Sequence, residues 1–461
     1  MGGRRPRGHR PGWTGSRLAS ASRGARRRRS EPHLVGRRTM NACVDLIERS
    51  VAPDASWIRP DIFADQALYR LEQERIFGRC WLLLGHESQL PEAGSFFRTH
   101  MGEEPILVTR TLEGEVRAFL NLCRHRGAQL CHEDRGVAKS FNCRYHGWAY
   151  ACDGKLLAAP GEKQLYYGEL DKEEWGLVRV ARVESYKGLV FGNFDPDAEP
   201  LADYLGNMAW YLDILLDRRA GGTELLGVQR WRIPANWKVV AENHVGDEYH
   251  VGFTHGSQLP RPIRSRAAPI PMAREIRPEL GHGIGVDVIP EDVSPGERGG
   301  FDEEVNEYLR SIAGEMKERL GEMRPRLFPI HGLVFPTLGM IPILNSIRVI
   351  HPIGPGEVEL WSYCMVDRDA PQQVKDILVQ RSIAAFGPAG AFEQDDSANW
   401  TGVTRNTVGQ QARKHRLNLS MGLGHEGEVA GLPGEVGLTA SDINQRGFYL
   451  RWVREMTGGP A

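Results

Sequence analysis

Two short segments of this 461-residue chain each combine one cysteine with one histidine, and their spacing constrains the fold more than any other feature. One residue separates Cys123 from His125, two separate Cys143 from His146, and seventeen lie between the pairs. Two thiolates and two imidazoles can hold a tetrahedral zinc ion, or a [2Fe-2S] cluster with two cysteines on one iron and two histidines on the other. Zinc sites usually space paired ligands by roughly two to four residues, so the single residue in the first pair favours the cluster.

The sequence around this pattern predicts a small all-β domain, because short β-rich runs alternate with turns that contain glycine and aspartate. Helical periodicity flanks it, and we predict helices at 65–77, 201–216, 301–320, 370–386 and after Pro388. Residues 332–366 read as several strands. The fold class is therefore α+β. We expect an extension at 1–39, a helical segment at 40–79, a cluster domain at 80–200 and a second domain at 201–461.

The charge is distributed unevenly. Residues 1–39 contain twelve arginines and one acid and lack the apolar side chains of a core, so we expect them to be disordered. A transit-type presequence, a basic arm and translated upstream sequence before Met40 are three interpretations, and we favour a dispensable extension. The remainder has 46 basic and 58 acidic groups, which argues against nucleic acid as a partner.

No apolar run is long enough to cross a membrane, since such a helix needs about 18 residues. The chain has seven cysteines and no complete export signal, which indicates a reducing, cytoplasmic compartment.

A second cluster of metal-binding residue types follows at 242–255. Asp247 and His250 are three residues apart and would share one helical face, whereas the five-residue step to His255 requires a break, which Gly252 would allow. Two imidazoles and one carboxylate with open positions suit a mononuclear ferrous site that binds dioxygen. Periodicity alone leaves Asp247 and Glu242 as candidates for the carboxylate.

The first pattern resembles the cluster motif of Rieske proteins, with Arg126-Gly127 and Gly147-Trp148 around the ligands. Respiratory Rieske proteins have a further disulfide between the two loops, and Ala128 and Tyr145 stand here in its place. The chain is therefore similar to the oxygenase type, in which the cluster passes single electrons to a second metal. Cys131 lies outside the pattern and is interpreted as structural.

Residues 61–457 resemble the large (alpha) subunits of Rieske aromatic ring-hydroxylating dioxygenases, the group that contains naphthalene and biphenyl dioxygenases. The resemblance implies a helix-grip (START-like) catalytic domain of antiparallel sheet and helices. It also implies that His250, His255 and Asp396 bind iron, with Asp395 as a one-residue alternative. Asp247 would be hydrogen-bonded to His250 and, across a subunit boundary, to the residue that matches His146 in a neighbouring chain.

Family resemblance also places a substrate pocket beside the iron. Matching positions include Asn243, with a catalytic role beside Asp247, and the pocket residues His244, Phe386 and Phe392. His244 is unusual there, and it would bind either a polar substituent or a backbone carbonyl. An arginine-rich loop at 260–278 could attract an aromatic carboxylate, but we favour a hydrocarbon.

The implied activity is that of a terminal oxygenase, which uses dioxygen and NADH-derived electrons to convert an aromatic ring into a cis-dihydrodiol. A monooxygenase or demethylase is the alternative among enzymes, and an electron-transfer Rieske protein with a binding module is the alternative of another class. The glycines at 422, 424 and 427 do not join a strand to a helix, so a nucleotide site is rejected. Electrons must therefore come from a separate NADH-dependent flavin reductase, a ferredoxin or both. The resemblance adds a beta subunit, a homotrimer of alpha within an α3β3 assembly, and a bacterial cytoplasm.

Overall fold

The computed structural model describes residues 42–258, 274–289 and 302–458. The predicted disordered extension and most of the predicted arginine-rich loop lie outside these ranges. The prediction of a loop is wrong for residues 274–277, which form a strand between two others and so cannot be a mobile connection.

The first part of the chain forms three small antiparallel sheets. In spatial order their strands are Arg182–Tyr186, Leu189–Asn193 and Leu82–His86; Val116–Leu120, Glu104–Arg110, Ser95–Met101 and Arg135–Val137; and Ser140–Asn142, Ala149–Ala151 and Leu156–Ala158. The two segments with paired cysteine and histidine are loops at one end of the second and third sheets.

The second part of the chain is built on one nine-stranded antiparallel sheet. Its strands, in spatial order, are Thr223–Ile233, Glu357–Asp367, Ser346–Gly354, Leu338–Ile341, Leu327–Val334, Gly283–Val288, Arg274–Arg277, Leu432–Leu438 and Gly427–Val429. A separate two-stranded pairing joins Trp57–Ile58 to Leu417–Asn418.

Helices cover this large sheet and connect it to the N-terminal segment. The longer ones are Gln66–Arg75, Met208–Leu216, Trp237–Gly246, Glu303–Leu320, Gln372–Phe386, Ala391–Thr407 and Ile443–Thr457. Shorter ones are Asp61–Ala64, Glu162–Leu165, Leu201–Leu205 and Val251–Thr254. Antiparallel sheets combined with packed helices confirm the α+β class, and none of the helices in the described ranges is long and apolar enough to cross a lipid bilayer.

Helix Trp237–Gly246 crosses the inner face of the large sheet. Asn236 begins it by accepting a hydrogen bond from the backbone NH of Lys238 at 3.0 Å. The buried Glu72 accepts hydrogen bonds from Lys238 Nζ at 2.5 Å and from Trp237 Nε1 at 2.8 Å, and Trp452 Nε1 donates a third at 2.9 Å. One carboxylate thus joins three helices, and the charge of Lys238 is paired where it is buried.

The described residues form three separate apolar cores, of which the smallest lies between helices Glu303–Leu320 and Gln372–Phe386 and strand Glu357–Asp367. The largest core extends from the N-terminal helices through Leu82–Leu84 and Phe191 into the large sheet and its helices. The second core surrounds the two cysteine loops and includes Phe96, Phe141 and Trp148. The cysteine loops therefore lie on a core of their own, while the sheet at 82–86 belongs to the main body.

Candidate metal centres

The two cysteine loops have the same backbone geometry. The NH of Cys123 donates to Ala128 O at 2.8 Å and the NH of Gly127 donates to Cys123 O at 2.9 Å. The NH of Cys143 donates to Trp148 O at 2.8 Å, and the NH of Gly147 to Cys143 O at 2.9 Å. Both glycines have φ of +73°, a left-handed conformation that strains any other L-residue. The two loops therefore share one backbone shape, although the histidine follows its cysteine by two residues in the first loop and by three in the second.

The four side chains of these loops lie together. Both thiols are buried, and the rings of His125 and His146 have centroids 4.6 Å apart. Burial raises the pKa of Cys123, with a hydrogen bond to Tyr150 acting in the opposite direction. Burial, followed by the charges of His146 and Arg126, lowers the pKa of His125, so its imidazole is neutral, as a metal ligand must be.

His125 also has a buried Nδ1 atom that meets no hydrogen-bond partner within the described residues. Two thiols, two imidazoles and this unbonded ring nitrogen fit the mixed ligand set of a Rieske cluster. Tyr145 is exposed beside His146 with ring centroids 3.7 Å apart, and Cys131 is held away from the pattern by two hydrogen bonds with Asn121.

The second group of ligand atoms comes from distant parts of the chain. His250 Nε2 lies 3.2 Å from His255 Nε2 and 3.3 Å from Asp396 Oδ1, and His255 Nε2 lies 3.2 Å from the same oxygen. This is the one group of three or more candidate ligand side chains that the described residues bring within 4.8 Å of one another. Asp395 instead faces His255 Nδ1, with its Oδ2 at 3.4 Å.

Local structure around the two histidines differs from the expectation in two respects. Asp247 and His250 lie between two helices and not on one helical face, and the chain does not break at Gly252. Helix Trp237–Gly246 ends before Asp247, and His250 and His255 lie at the two ends of the short helix Val251–Thr254. The break is thus at 247–250, and the prediction that Gly252 supplies it is wrong. His250 and His255 flank one helical turn from outside it, which lets two imidazoles five residues apart converge.

Asp247 contacts His250 on the side of the ring that faces away from the other candidate ligands. Its backbone carbonyl accepts a hydrogen bond from His250 Nδ1, and its Oδ2 lies 3.3 Å from the same nitrogen. Asn243 Nδ2 donates to Asp247 Oδ2 at 3.3 Å. Such a contact fixes which ring nitrogen carries the proton and leaves Nε2 free to face a metal.

The electrostatics of the site favour a cation. Burial alone lowers the pKa of His250, but hydrogen bonds to Asp247 and Asp396 and their charges outweigh it and raise the pKa well above its ordinary value. Burial raises the pKa of Asp396, but His250 and His255 more than reverse this and hold the pKa below its usual range. A bound metal ion supplies the positive charge that these carboxylates stabilise.

Among the predicted pocket residues, the two phenylalanines lie beside the ligands. The rings of Phe386 and Phe392 stack with centroids 5.5 Å apart, and Phe392 meets the ring of His255 edge-on at 4.9 Å. His244 is buried; its Nδ1 donates to the carbonyl of Val240 at 2.8 Å. The backbone-carbonyl alternative for His244 is therefore the one observed.

A cavity of about 370 Å³ opens beside the ligand atoms. Asn243, Asp247, His250 and Asp396 form part of its polar wall, with Glu242 next to them. Its apolar wall includes Phe63, Trp400 and Leu417. Glu242 accepts a hydrogen bond from the hydroxyl of Tyr449 and is not among the three converging ligands.

One group near the site was not anticipated from the sequence. Arg348 is fully buried and pairs with Glu393, which accepts further hydrogen bonds from Trp231 Nε1 and Ser397 Oγ, both at 3.1 Å. A run of acidic residues such as 393–396 usually faces solvent, but Glu393 and Asp396 are only 1% and 4% exposed. In the sequence, the sign of this buried group was one arginine in the mainly apolar strand Ser346–Gly354.

Two protein families match this chain. The Rieske [2Fe-2S] domain matches residues 80–186, and the ring hydroxylating alpha subunit (catalytic domain) matches residues 201–453. The second match covers more than half of the chain. The first match contains the two cysteine loops, and the second contains the nine-stranded sheet.

Relatives of known activity match over almost the whole length. The biphenyl 2,3-dioxygenase alpha subunit of Rhodococcus jostii (strain RHA1) is 42% identical, over 93% of this chain and 94% of the relative. The benzene 1,2-dioxygenase alpha subunit of Pseudomonas putida is 40% identical, over 89% and 93%.

Among solved structures, naphthalene 1,2-dioxygenase from Rhodococcus sp. bound to indole superimposes with a TM-score of 0.80 at 35% identity, over 94% of this chain and 100% of that chain. Because the relatives are dioxygenases, the alternative of an electron-transfer protein with a binding module is set aside. The matched domains imply one Rieske [2Fe-2S] cluster and one mononuclear iron. The chain belongs to the alpha subunits of the Rieske aromatic ring-hydroxylating dioxygenases.

Proposed function

We propose that His250, His255 and Asp396 bind the mononuclear iron, and that Cys123, His125, Cys143 and His146 bind the cluster. The convergence of three donor atoms on one point, from segments about 140 residues apart, carries the proposal. Two imidazoles and one carboxylate on one side of an ion are the ligand set of ferrous oxygenases. When bound, the iron activates dioxygen and the cluster supplies single electrons.

The protein's own groups would set the geometry for this chemistry. Asp247 holds the Nδ1 side of His250, and Asn243 holds Asp247. Phe386 and Phe392 exclude water from the face next to His255. The proposed overall reaction adds both atoms of dioxygen to two adjacent ring carbons, with two electrons and two protons, and yields a cis-dihydrodiol.

The position of Asp247 supports the proposal that electrons pass between subunits. This residue lines a cavity that is open to the surface, and it contacts His250 from that side. His146 is partly exposed beside Tyr145, which is 62% exposed, so the tip of the cluster domain can approach another chain. We infer a head-to-tail ring of three alpha subunits in which the cluster of one chain reduces the iron of the next.

The surroundings of the site favour a hydrocarbon over an aromatic acid. Both ring nitrogens of His244 are occupied, because Nε2 accepts a hydrogen bond from Arg348 at 3.2 Å. The charge of Arg348 is itself paired with Glu393. In the described part of the predicted arginine-rich loop, Arg277 forms an ion pair with Glu435. These groups are satisfied within the protein, and the cavity beside the candidate ligands offers a ring the apolar wall of Phe63, Trp400 and Leu417. The predicted pocket residues His244, Phe386 and Phe392 do not line this cavity.

The remaining partners belong to the proposal. We propose an α3β3 assembly with a beta subunit, electrons from NADH through a flavin reductase or a ferredoxin, and a location in a bacterial cytoplasm. The seven cysteines are all free thiols, which suits a reducing compartment. The domain division at residues 80–200 and 201–461 stands as part of the same proposal.

Product analysis under ¹⁸O₂ tests the activity. The alpha subunit, expressed with its beta subunit and supplied with a reductase and ferredoxin, is offered biphenyl, benzene and naphthalene beside benzoate and phthalate. We expect a cis-dihydrodiol that carries two labelled oxygen atoms from at least one hydrocarbon. A product with one labelled atom would favour a monooxygenase or demethylase, and turnover of the acids alone would overturn the assignment of a hydrocarbon substrate.

A further inference from the structure

Arg348 is an unusual residue for its position. It lies in strand Ser346–Gly354 in the middle of the large sheet, and its side chain is fully buried. A buried guanidinium is costly unless its charge and its donors are matched. Both Nη atoms of Arg348 are hydrogen-bonded, whereas its Nε meets no partner among the described residues. The residue opposite Arg348 in the adjacent strand is Gly339, where a Cβ would lie 2.7 Å from His244 Cδ2. The sheet therefore makes room for the group that Arg348 contacts.

One side of the guanidinium holds the helix that carries Asp396. Nη2 donates to Glu393 Oε2 and, at 3.0 Å, to the carbonyl of Phe386. Glu393 lies three residues before Asp396 on helix Ala391–Thr407, so the two carboxylates share one face of the helix. Fixing Glu393 therefore fixes the rotation and the position of the helix at Asp396.

The other side of the Arg348 guanidinium holds the helix that leads to His250 and His255. Nη1 donates to His244 Nε2 at 3.2 Å, and His244 lies on helix Trp237–Gly246, immediately before the turn that contains Asp247. Burial, followed by the charge of Arg348, lowers the pKa of His244 to about 3, so the ring stays a neutral acceptor. The planar guanidinium thus spans two helices in a fixed geometry.

On the basis of the proposed iron site, we propose that Arg348 is a positioning residue that sets the distance between Asp396 and the pair His250 and His255. Asp396 reaches the histidines from a separate helix, and Arg348 is a buried group that bonds to both helices close to this junction. Lysine could retain the charge, but its single ammonium group cannot form the planar fork that reaches both sides.

Metal affinity measured on protein that retains its cluster tests this role. The mononuclear site is stripped with a chelator and titrated with Co²⁺, whose visible spectrum reports the ligand geometry. We expect Arg348→Lys to bind Co²⁺ about tenfold more weakly, the range seen when groups that orient metal ligands are changed. The visible spectrum of the cluster should stay unchanged and shows that the chain is folded.

A double variant separates positioning from stability. Replacing Arg348 and Glu393 together with methionine removes both buried charges, so thermal stability should be largely retained. Co²⁺ affinity should stay about tenfold lower, because the remaining bond between the two helices, from the backbone NH of Asn236 to Thr404 Oγ1, lies at the far end of helix Trp237–Gly246 from Asp247. The matched control is the double methionine variant of Arg218 and Asp367, a buried ion pair at 2.8 Å in the same domain, for which we expect parental affinity.

Parental Co²⁺ affinity in both Arg348 variants would overturn the inference, as would an equal loss in the control. Failure of the parental protein itself to bind Co²⁺ would instead refute the proposed ligand set, so the two failures are distinguishable.

Discussion

The two metal centres of this chain are built in different ways. Backbone hydrogen bonds and two left-handed glycines shape the loops for the cluster, and all four proposed ligands fall within 24 residues. Buried charged side chains hold the proposed iron site, and its third proposed ligand lies 141 residues beyond the second. A centre made from local backbone leaves a sequence pattern, whereas a centre made from long-range ion pairs does not.

The largest expected effects come from removing one ligand of each centre. Cys143→Ser should abolish the visible spectrum of the cluster and all NADH-driven turnover. Asp396→Ala should leave that spectrum intact and lower turnover more than about a hundredfold, because changes to outer groups already cost up to that amount. Absorption spectra and iron analysis of both variants check this. Loss of the cluster in Asp396→Ala would show that the two centres do not fold independently.

Asp247→Asn should give the next largest effect. The amide keeps the shape but weakens the contact with His250 Nδ1, so we expect turnover to fall about 10- to 100-fold while both metals stay bound. Stopped-flow measurement of cluster reoxidation in the presence of substrate and dioxygen is the assay. A variant with normal reoxidation would remove Asp247 from the electron route, and Asp153→Asn, in a turn of the cluster domain, serves as a control.

Buried carboxylates should make the iron half of the molecule sensitive to pH. Burial, followed by the charges of Asp247 and Asp442, raises the pKa of Glu242 to about 7, although a hydrogen bond from Tyr449 lowers it. The folded state therefore holds a proton that the unfolded state releases near its ordinary pKa of about 4.5. The contribution of Glu242 to stability is present below that value and falls as pH rises towards 7.

Glu242→Gln should remove this dependence. Between pH 5 and pH 8 the free energy of unfolding of the parental chain should fall relative to the variant by about 2–3 kcal/mol, from the linkage of roughly 1.4 kcal/mol per pKa unit. Denaturant unfolding at several pH values measures it. Parallel pH profiles for the two proteins would contradict the prediction.

The smallest effects should distinguish the two cluster loops. Gly127→Ala and Gly147→Ala both place alanine in a left-handed conformation, at a cost of about 1–2 kcal/mol. A Cβ at position 127 meets nothing within 4 Å, whereas one at position 147 lies 3.0 Å from Pro160 Cγ. Gly147→Ala should therefore lose its cluster at the lower temperature when bleaching is followed on heating. Equal melting would show that Pro160 moves aside at little cost.

The contrast between local and long-range contacts also explains which features of this molecule the sequence could predict. The helices at 303–320 and 372–386 were predictable from periodicity, and spacing was enough to propose the four cluster ligands, because neighbours along the chain determine both. The two histidines were also evident. Periodicity alone offered Asp247 and Glu242 as the carboxylate, and only family resemblance pointed to Asp396, since its contact with the histidines is set by tertiary packing.

The same limit explains the errors near the iron site. A break was expected at Gly252, but the helix ends at Gly246, where Asn444 and Glu275 leave no room for a Cβ. Arg348 and Glu393 were missed because burial of a charged pair depends on partners from three elements. The burial and the partners of a residue in a long-range contact cannot be predicted from its neighbours in the sequence.

The anchoring of Gly246 has a consequence for biosynthesis. Its carbonyl accepts a hydrogen bond from Gln445 Nε2 at 2.9 Å, so the turn before Asp247 is held by the last helix of the described chain. A ribosome releases residues 123–146 long before residue 445. The cluster loops can therefore fold while translation continues, whereas the proposed iron site is completed only when synthesis is nearly over. We expect the cluster to be inserted before the mononuclear iron.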